Sequence, residues 1–143
     1  MILLVILFLL NVYIYIHTTE PENLRIVKER YELLREHIRE TDNDEFTHLV
    51  DPIPITAHHR AQQGSVGYSV NKGHEIGLCI DGEPNEIMHV LIHELAHTCV
   101  EEYAHSPAFW DKYDNLKTMF IAIGIYQEIP EKTEFCGKHI QDK

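Results

Sequence analysis

The residues with the clearest capacity for chemistry lie at positions 93–97, which read His-Glu-Leu-Ala-His. On a helix, a step of four residues puts both imidazoles on one face, about 6 Å apart along the axis, so that they can share one tetrahedral zinc ion. Glu94 lies about 100° further around the helix, where it reaches a water at the metal rather than the metal itself. The pattern therefore predicts zinc-dependent hydrolysis of peptide bonds. His93 and His97 are the predicted ligands, and Glu94 is the predicted general base and proton donor to the leaving amine.

A third ligand is expected from the segment that follows. His105 stands eight residues after His97, beyond the predicted end of the helix and just before a Ser-Pro helix start. Glu101 and Glu102 compete for the role, but a residue eight positions beyond His93 on the same helix lies about 12 Å along the axis. Zinc–ligand bonds are only about 2 Å long, so His105 is the predicted third ligand of a single zinc ion.

The chain has 11 histidines, and most of them belong to no metal-site pattern. His89 lies one helical step before His93 on the same stripe, and two roles stay open for it: a hydrogen-bond partner of a ligand, or a contact to substrate. The remaining histidines are predicted to be core or surface residues without a chemical role. These are His17, His37, His48, His58, His59, His74 and His139.

Two helices are needed to hold the candidate site. The first is predicted over about Asn85 to Tyr103, with Asn85 as its N-cap and an apolar face toward the core. The second begins at Ser106, the N-cap of a helix with proline in its first turn, and ends at Gly124. Its aromatic residues recur at helical spacing and are predicted to be core rather than a binding cage. They are Phe109, Trp110 and Tyr113.

A β-hairpin is predicted before the first of these helices, from two β-prone runs at Ser65–Val70 and Glu75–Ile80 joined by a turn that contains Asn and Gly. In peptidases of this geometry an edge strand pairs with the extended substrate, and Ile76–Ile80 is the expected strand. Gly77 in that strand either permits close approach of the substrate or marks a bulge.

The rest of the chain supplies scaffold. Apolar residues at three- and four-residue steps predict an amphipathic helix over Pro21–Thr41, and the prolines of Val50–Ile55 predict an extended connection. The tail from Ile125 to Lys143 is predicted to be irregular. Altogether the sequence predicts an α+β domain over residues 19–143, in which a small sheet packs on the helix that carries the candidate site.

The chain opens with an apolar segment, Met1 to Ile16, interrupted by Asn11. Residues 1–18 are predicted to be a retained membrane anchor rather than a cleaved signal, because a basic n-region and a small-residue cleavage site are both missing. The next positive charges lie on the C-terminal side. This charge bias predicts a single-pass protein with its C-terminal domain in the cytosol, or in a virion interior. The alternative of a buried helix is disfavoured because the segment lacks an amphipathic period.

Composition excludes one function class and bears on the redox environment. The 143 residues include 12 Lys+Arg against 23 Asp+Glu, a net charge of -11, and no basic run occurs, so direct nucleic-acid binding is not expected. Three cysteines are present: Cys79, Cys99 and Cys136. They spell out neither a disulfide framework nor a four-thiolate zinc site, and a reducing compartment is the simpler expectation.

The stretch Glu75 to Trp110 resembles the zinc-metallopeptidase core of the WLM and SprT-like (Spartan-type) families. Their pattern is a strand, a helix with HExxH, a short variable segment, and a third His followed by an aromatic pair at the start of the next helix. The resemblance implies a small zincin-like domain. It also implies His93, His97 and His105 as zinc ligands and Glu94 as catalytic acid/base. Similar small domains, some with a hydrophobic N-terminus, are encoded by large DNA viruses.

The sequence departs from these families in two respects. The spacing from His97 to His105 is longer than in the WLM type and shorter than in many SprT-like members. No C-terminal zinc ribbon, SUMO-binding motif or basic DNA-binding region is visible. Those families are associated with proteolysis of DNA-bound or crosslinked proteins. Because this chain is acidic and is predicted to be anchored in a membrane, we do not expect it to share those substrates.

Three functional hypotheses follow. The first is a membrane-tethered zinc endopeptidase acting on protein or peptide substrates, with Tyr103, Tyr113 and His89 all open as the donor to the oxyanion. The second is a structural or assembly protein that keeps this fold at a membrane, for instance beside viral capsid or membrane proteins in a virion. A purely structural role would not require Glu94, which favours the enzyme. The third is a secreted peptidase, if the leader is cleaved.

Overall fold

The computed structural model describes residues 1–60 and 64–142, which form an α+β fold as predicted. The four helices are α1 (Ile2–Thr18), α2 (Glu22–Glu40), α3 (Pro84–His97) and α4 (Pro107–Ala122). The strands are β1 (Ile55–His58), β2 (Gly67–Val70), β3 (Glu75–Cys79), β4 (Thr133–Phe135) and β5 (Lys138–Ile140). A 3-10 segment, Asp44–Leu49, follows α2.

The predicted hairpin is confirmed, since β2 pairs antiparallel with β3, but it is part of a three-stranded sheet of order β1-β3-β2. β1 runs parallel to β3, with Ile55 opposite Ile76. The expectation that Ile76–Ile80 forms an edge strand is therefore wrong, because β3 is the central strand. Strand β1 was not predicted, because its four residues are too few to show an alternating pattern.

Gly77 has neither of its two expected roles. The register between β2 and β3 is continuous through this position, so there is no bulge, and the strand is central, so no substrate can pair with it. A Cβ at Gly77 would instead collide with the ring of Tyr68 on the neighbouring strand. Glycine here lets the tyrosine ring lie flat across β3.

The core lies between the sheet and the helices α2, α3 and α4. The amphipathic helix predicted over Pro21–Thr41 is confirmed as α2. The apolar residues that recur along it are all buried, and they are Leu24, Val27, Tyr31, Leu34 and Ile38. Each such side chain contributes about 1.5–3 kcal/mol through removal from water. The Asn23 side chain also donates hydrogen bonds to the carbonyls of Ile80 and Gly82, which fixes α2 against the end of β3.

Helix α3 starts and ends differently from its prediction. Its N-cap is Glu83, which forms a reciprocal capping box with Glu86, whereas Asn85 exchanges two hydrogen bonds of 2.8 Å with the backbone of Gln127. The helix ends at His97 rather than Tyr103. Helix α4 begins as predicted, with the Ser106 hydroxyl accepting from the Phe109 N–H.

The tail is ordered where the sequence predicted an irregular segment. Strands β4 and β5 form a hairpin, and Cys136 at its turn is joined to Cys79 by a disulfide across a Cα–Cα distance of 6.5 Å. The sequence spells out no disulfide framework, so this pair was not predicted. The two are 57 residues apart, so only tertiary contacts bring them together. Cys99 is free and partly buried.

The N-terminal helix α1 is exposed along its whole length. Within residues 1–60 and 64–142, no single helix has both the length and the apolar composition needed to cross a membrane. Helices α1 and α2 meet that test only as a pair, bent by 49° at the break between them.

Candidate metal centre

Three imidazoles converge at the C-terminal end of α3. The Nε2 atoms of His93, His97 and His105 form a triangle with sides of 3.2, 3.2 and 3.1 Å. Ligand atoms about 2.0–2.1 Å from a zinc ion at tetrahedral angles lie about 3.3–3.4 Å apart, so the triangle fits three corners of a zinc site. The structure thus places all three predicted ligand residues together, and the donor set suits zinc.

Two pieces of backbone position these three rings. His93 and His97 lie on one face of α3, and His105 is carried by the loop that leads into the N-cap of α4. The ring of Phe109 lies 5.1, 4.5 and 4.8 Å from the three imidazoles in chain order, measured between centroids. Phe109 is fully buried, as predicted, and also forms the apolar floor of the site.

The other two aromatic residues of α4 divide. Tyr113 is buried as predicted, but Trp110 is only partly buried and lies 5.8 Å from the His105 ring, between centroids. The prediction that these residues form core is therefore right for Tyr113 and incomplete for Trp110.

Lys72, which sequence analysis missed, holds the loop that carries the third histidine. It lies in the turn between β2 and β3, and its ammonium group donates to the carbonyls of Val100, Glu101 and Glu102. An ammonium has three donors, so all of them are engaged. The same group lies 4.5 Å from the centre of the Tyr103 ring. No sequence pattern pairs a turn lysine with carbonyls some thirty residues away.

The electrostatics of the cluster suit a bound cation. Burial, together with repulsion from the neighbouring imidazoles, lowers the pKa of His93 to about 3. Burial also lowers the pKa of His97. The uncharged imidazole is the form that binds metal, because its nitrogen lone pair is free to coordinate the ion.

Glu94 lies beside this cluster and is buried, with 7% of its surface exposed. Burial raises the pKa of its carboxyl to about 7. A carboxyl with this pKa can both take up and release a proton near neutral pH, which is the property required of a general acid/base. The glutamates that competed for the metal, Glu101 and Glu102, lie outside the cluster.

Two cavities meet at Glu94. The first, of about 180 Å³, is lined by Ser69, Lys72, Glu94, His97 and Tyr103. The second, of about 300 Å³, is lined by the residues on the other side of the carboxylate. They are Val66, Gly67, His89, Val90, His93, His139, Ile140 and Gln141. Glu94 lines both, and each cavity also has one of the clustered histidines in its lining, so the two together are called the cleft.

The edge of this cleft is strand β2. Its N-terminal neighbour Val66 accepts a hydrogen bond of 2.9 Å from the Cys79 N–H, and hydrogen-bonded pairs recur at every second residue of an antiparallel ladder. Gly67 and Ser69 consequently direct their backbone N–H and C=O groups away from β3. Among the residues that the structure describes, no strand pairs with this outer side.

Glycine at position 67 is needed for the strand to approach the helix. A Cβ there would lie 2.5 Å from Val90 and 3.3 Å from the Glu94 carboxylate. Two residues along, on the same face of the strand, the Ser69 hydroxyl is buried and has no hydrogen-bond partner within the described ranges. The open edge of β2 therefore passes close to Val90 and Glu94 of α3.

His89 lies one turn before His93, in a buried polar network. Its Nδ1 is 3.0 Å from the Tyr126 hydroxyl, 3.3 Å from the Tyr113 hydroxyl and 3.4 Å from the Asp142 carboxylate. The tyrosines donate to Asp142, Tyr113 at 2.6 Å and Tyr126 at 2.5 Å. The Asp142 carboxylate, which sequence analysis missed, is 1% exposed although it lies near the end of the chain.

This network bears on the three residues considered as oxyanion donors. The Tyr113 hydroxyl is buried and gives its proton to Asp142, and burial together with that carboxylate raises its pKa far above the ordinary value. It therefore has no proton to offer in the cleft. Tyr103 lines the first cavity beside Glu94 and is largely exposed, so its hydroxyl remains available.

The histidines predicted to have no metal role lie outside the three-histidine cluster among the described residues. His58 is buried and bonds the Ser65 carbonyl at 2.8 Å, and His48 lies 3.1 Å from the Thr98 hydroxyl. His139 is exposed and lines the second cavity.

The chain is similar to a protein of a large DNA virus. A protein of Acanthamoeba polyphaga mimivirus, named "Uncharacterized protein R325", is 27% identical over 139 aligned residues, which cover 83% of this chain and 70% of the relative. No protein-family model matches the chain. No solved structure matches it significantly.

Proposed function

We propose that this protein is a membrane-tethered, zinc-dependent endopeptidase. The observation that carries the proposal is the triangle of three Nε2 atoms, whose sides of 3.1–3.2 Å are close to those of a zinc coordination tetrahedron, with a buried carboxyl beside it. His93, His97 and His105 would hold the ion. Glu94 would act as the acid/base.

The chemistry divides between the ion and the chain. Zinc, when bound, lowers the pKa of water and polarises the scissile carbonyl. Glu94 accepts a proton from the attacking water and then delivers it to the leaving amine, and its raised pKa of about 7 suits both steps. Tyr103 is the proposed donor to the oxyanion, because its hydroxyl lies in the cleft while that of Tyr113 is engaged elsewhere.

The proposed substrate is an extended peptide that pairs with the outer edge of β2. Gly67 and Ser69 offer backbone donors and acceptors there. The close approach of Gly67 to Glu94 would bring a peptide on this edge to the metal. This strand takes the role that the sequence analysis assigned to Ile76–Ile80.

The fold proposal is correspondingly specific. Residues 19–143 would form a zincin-like domain similar to the WLM and SprT-like peptidases, with residues 1–18 as a separate anchor. In support, the α3 helix carries two ligands and lies beneath a sheet whose free edge borders the cleft. The third ligand precedes the next helix, as in those families.

Residues 1–18 are the proposed membrane attachment, since the helix they form buries none of its apolar residues. Two observations favour opposite sides of the membrane for the domain. The positive charges after the anchor favour the cytosol or a virion interior, whereas the Cys79–Cys136 disulfide favours an oxidising environment. Trypsin accessibility of the domain in sealed vesicles, with and without detergent, distinguishes the two.

A second candidate function is a virion or membrane assembly protein that retains the fold. It is supported by the relative in a large virus and by the exposed apolar helix α1. Partners would then be viral capsid or membrane proteins rather than substrates. This role needs packing surfaces but no acid/base, so substitution of Glu94 separates it from the peptidase.

The test compares the full-length protein in detergent with Glu94→Gln and with the control Glu101→Gln, using fluorescent casein and elemental analysis of zinc. We expect one zinc per chain in all three proteins, and a loss of hydrolysis of about 10²–10⁴-fold in Glu94→Gln alone. Equal digestion by Glu94→Gln and the parent protein would contradict the peptidase mechanism. Zinc-loaded parent protein without hydrolysis would favour the assembly function.

A further inference from the structure

The tail of the chain fixes the proton of a histidine that borders the cleft. The Nδ1 atom of His89 faces three oxygens at 3.0–3.4 Å, those of Tyr126, Tyr113 and Asp142. Both tyrosine hydroxyls spend their protons on the carboxylate, so each has only lone pairs left for the imidazole. All three oxygens are therefore acceptors toward Nδ1, and His89 must carry a proton on that nitrogen.

This assignment and the charge of the ring together determine what the other nitrogen can do. In an uncharged imidazole with its proton on Nδ1, the Nε2 atom is an acceptor. His89 lines the cavity of about 300 Å³ beside Glu94, and among the described residues Nε2 has no hydrogen-bond partner. Since Nδ1 is committed to the buried network, Nε2 is the polar atom that the ring offers to the cleft.

A peptide on the edge of β2 needs such an acceptor. Gly67, at the start of that edge, lines the same cavity as His89. Along an extended peptide, successive N–H groups point to opposite sides, so those not bonded to β2 face away from it and need other partners. An acceptor in the cavity would satisfy one of them, and a donor at the same place would not.

We propose that His89 is a substrate-binding residue, held by Asp142 so that its Nε2 accepts a hydrogen bond from a backbone N–H of the bound peptide. The assignment rests on the proposed peptidase function and adds to it the recognition of the substrate main chain. It removes His89 from the donors considered for the oxyanion, and it gives the C-terminal residues a part in the cleft.

The test measures binding to the full-length, zinc-loaded protein in detergent by calorimetry. The ligands are acetohydroxamate, a tripeptide hydroxamate, and versions of the latter N-methylated at one backbone nitrogen at a time. The main variant is His89→Asn, which keeps a donor near the Nδ1 position and removes the Nε2 acceptor. His74→Gln, in an exposed turn, is the matched control.

We expect His89→Asn to weaken the tripeptide hydroxamate about 10-fold and to leave acetohydroxamate unchanged, because only the peptide part reaches His89. N-methylation of the one backbone nitrogen that bonds His89 should lower the affinity of the tripeptide hydroxamate about 10-fold in the parent protein and in the control. The same methylation should not lower the affinity further in His89→Asn. N-methylations that disrupt pairing with β2 should cost the same in every protein. The assignment would be overturned if His89→Asn lowered the affinity of both hydroxamates equally. It would also be overturned if no backbone nitrogen were coupled to His89, that is, if no N-methylation lost its effect in His89→Asn.

The outcomes separate this assignment from the function on which it rests. If the parent protein binds neither zinc nor acetohydroxamate, the peptidase proposal fails and the assignment fails with it. If it binds both and no nitrogen is coupled to His89, only the assignment fails. Should His89→Asn not fold, ¹⁵N NMR of the parent protein replaces it. The Nε2 resonance should shift with the tripeptide hydroxamate and not with the N-methylated ligand, and an unchanged resonance would contradict the assignment.

Discussion

Helix α3 places histidines in two opposite environments one turn apart. His93 and His97, with His105, direct nitrogens at one another across 3.1–3.2 Å, and among the residues that the structure describes the cluster includes no carboxylate. His89 instead directs one nitrogen into a buried carboxylate and two hydroxyls. Histidine thus occurs in the triangle with lone pairs that converge where a cation could bind. At position 89 it occurs as an N–H donor surrounded by acceptors.

The difference lies in which part of the chain closes each environment. The triangle is completed by the loop between α3 and α4, whereas the His89 network is completed by the tail that ends near Asp142. A metal site requires converging lone pairs, and a fixed tautomer requires converging acceptors around one N–H. The two ends of the cleft should therefore respond separately to mutation.

The largest expected effect separates the two histidine environments directly. His97→Ala removes one of the three proposed ligands, and zinc affinity should fall by more than about 100-fold, since loss of a hydrogen-bond partner of a ligand already costs about 10–100-fold. His89→Ala should change zinc affinity by less than about 3-fold, because His89 lies outside the three-histidine cluster and its Nδ1 faces the Asp142 network. Competition with a chromophoric chelator measures both affinities. Comparable losses in the two variants would break the comparison.

The second effect concerns the disulfide that secures the tail. Cys136→Ser opens a cross-link between residues 57 apart in sequence, which corresponds to about 4 kcal/mol of chain entropy in the unfolded state. We expect a lower melting temperature for the variant and for the reduced parent protein, with zinc affinity nearly unchanged. Cys99→Ser is the control, because Cys99 forms no disulfide. A zinc affinity that falls with the disulfide would show that the tail also supports the triangle.

The three-histidine triangle was easier to predict from the sequence than the network of His89 and Asp142, for a physical reason. The spacing of His93 and His97 is local, and His105 arrives beside a helix start that Ser106 and the following proline mark. Asp142 carries no such signal, because it lies in a tail without periodicity and reaches His89 only through tertiary folding. Residues that act through long-range contacts leave no trace in spacing.

The same contrast applies to the fold. Helices α2 and α4 follow from apolar periodicity and caps, which are local properties. The position of β3 at the centre of the sheet depends on β1, which comes from a part of the chain some twenty residues earlier. The pairing of Cys79 with Cys136 likewise follows from the packing of the tail hairpin. Which strand is the edge could therefore not be read from the strand sequence itself.

A smaller effect is expected from the carboxylate of the network. Burial by itself would raise the pKa of Asp142, but hydrogen bonds outweigh it and lower the pKa below its ordinary value. The bonds come from His89, the Ile129 N–H, Tyr113 and Tyr126. A lowered folded-state pKa means that the ionised carboxylate stabilises the fold above the unfolded-state pKa, and that this stabilisation is lost as the pH falls through the folded-state pKa.

Asp142→Asn should therefore lower the free energy of unfolding at pH 7 by about 1–3 kcal/mol, the cost of leaving buried donors poorly paired. The difference from the parent protein should persist down to about pH 4 and shrink below it, because the carboxylate of the unfolded parent protein then takes up a proton while that of the folded protein is still ionised. Urea denaturation between pH 7 and pH 2.5 measures this, with Asp111→Asn at an exposed position as control. A difference that grows as the pH falls would contradict the assigned network.

The smallest effect sharpens the comparison on the side of the triangle. Lys72→Met keeps the apolar stem but removes the three donors that hold the carbonyls of Val100, Glu101 and Glu102. The loop would then sample more conformations, and His105 would occupy its ligand position less often. Because the Ser106 hydroxyl still donates to Glu102, the loop should stay partly ordered, and we expect a loss of zinc affinity of about 10-fold.

Chelator competition on Lys72→Met, with the exposed Lys132→Met as control, measures this loss, and calorimetry with acetohydroxamate reports whether the remaining site keeps its geometry. The proposed ligands on α3 do not depend on the loop. The variant should therefore release zinc faster than the parent protein but bind it with the same stoichiometry. If Lys72→Met binds zinc as tightly as the parent protein, the loop must be held by its own contacts. The lysine would then serve the β2–β3 turn rather than the third ligand.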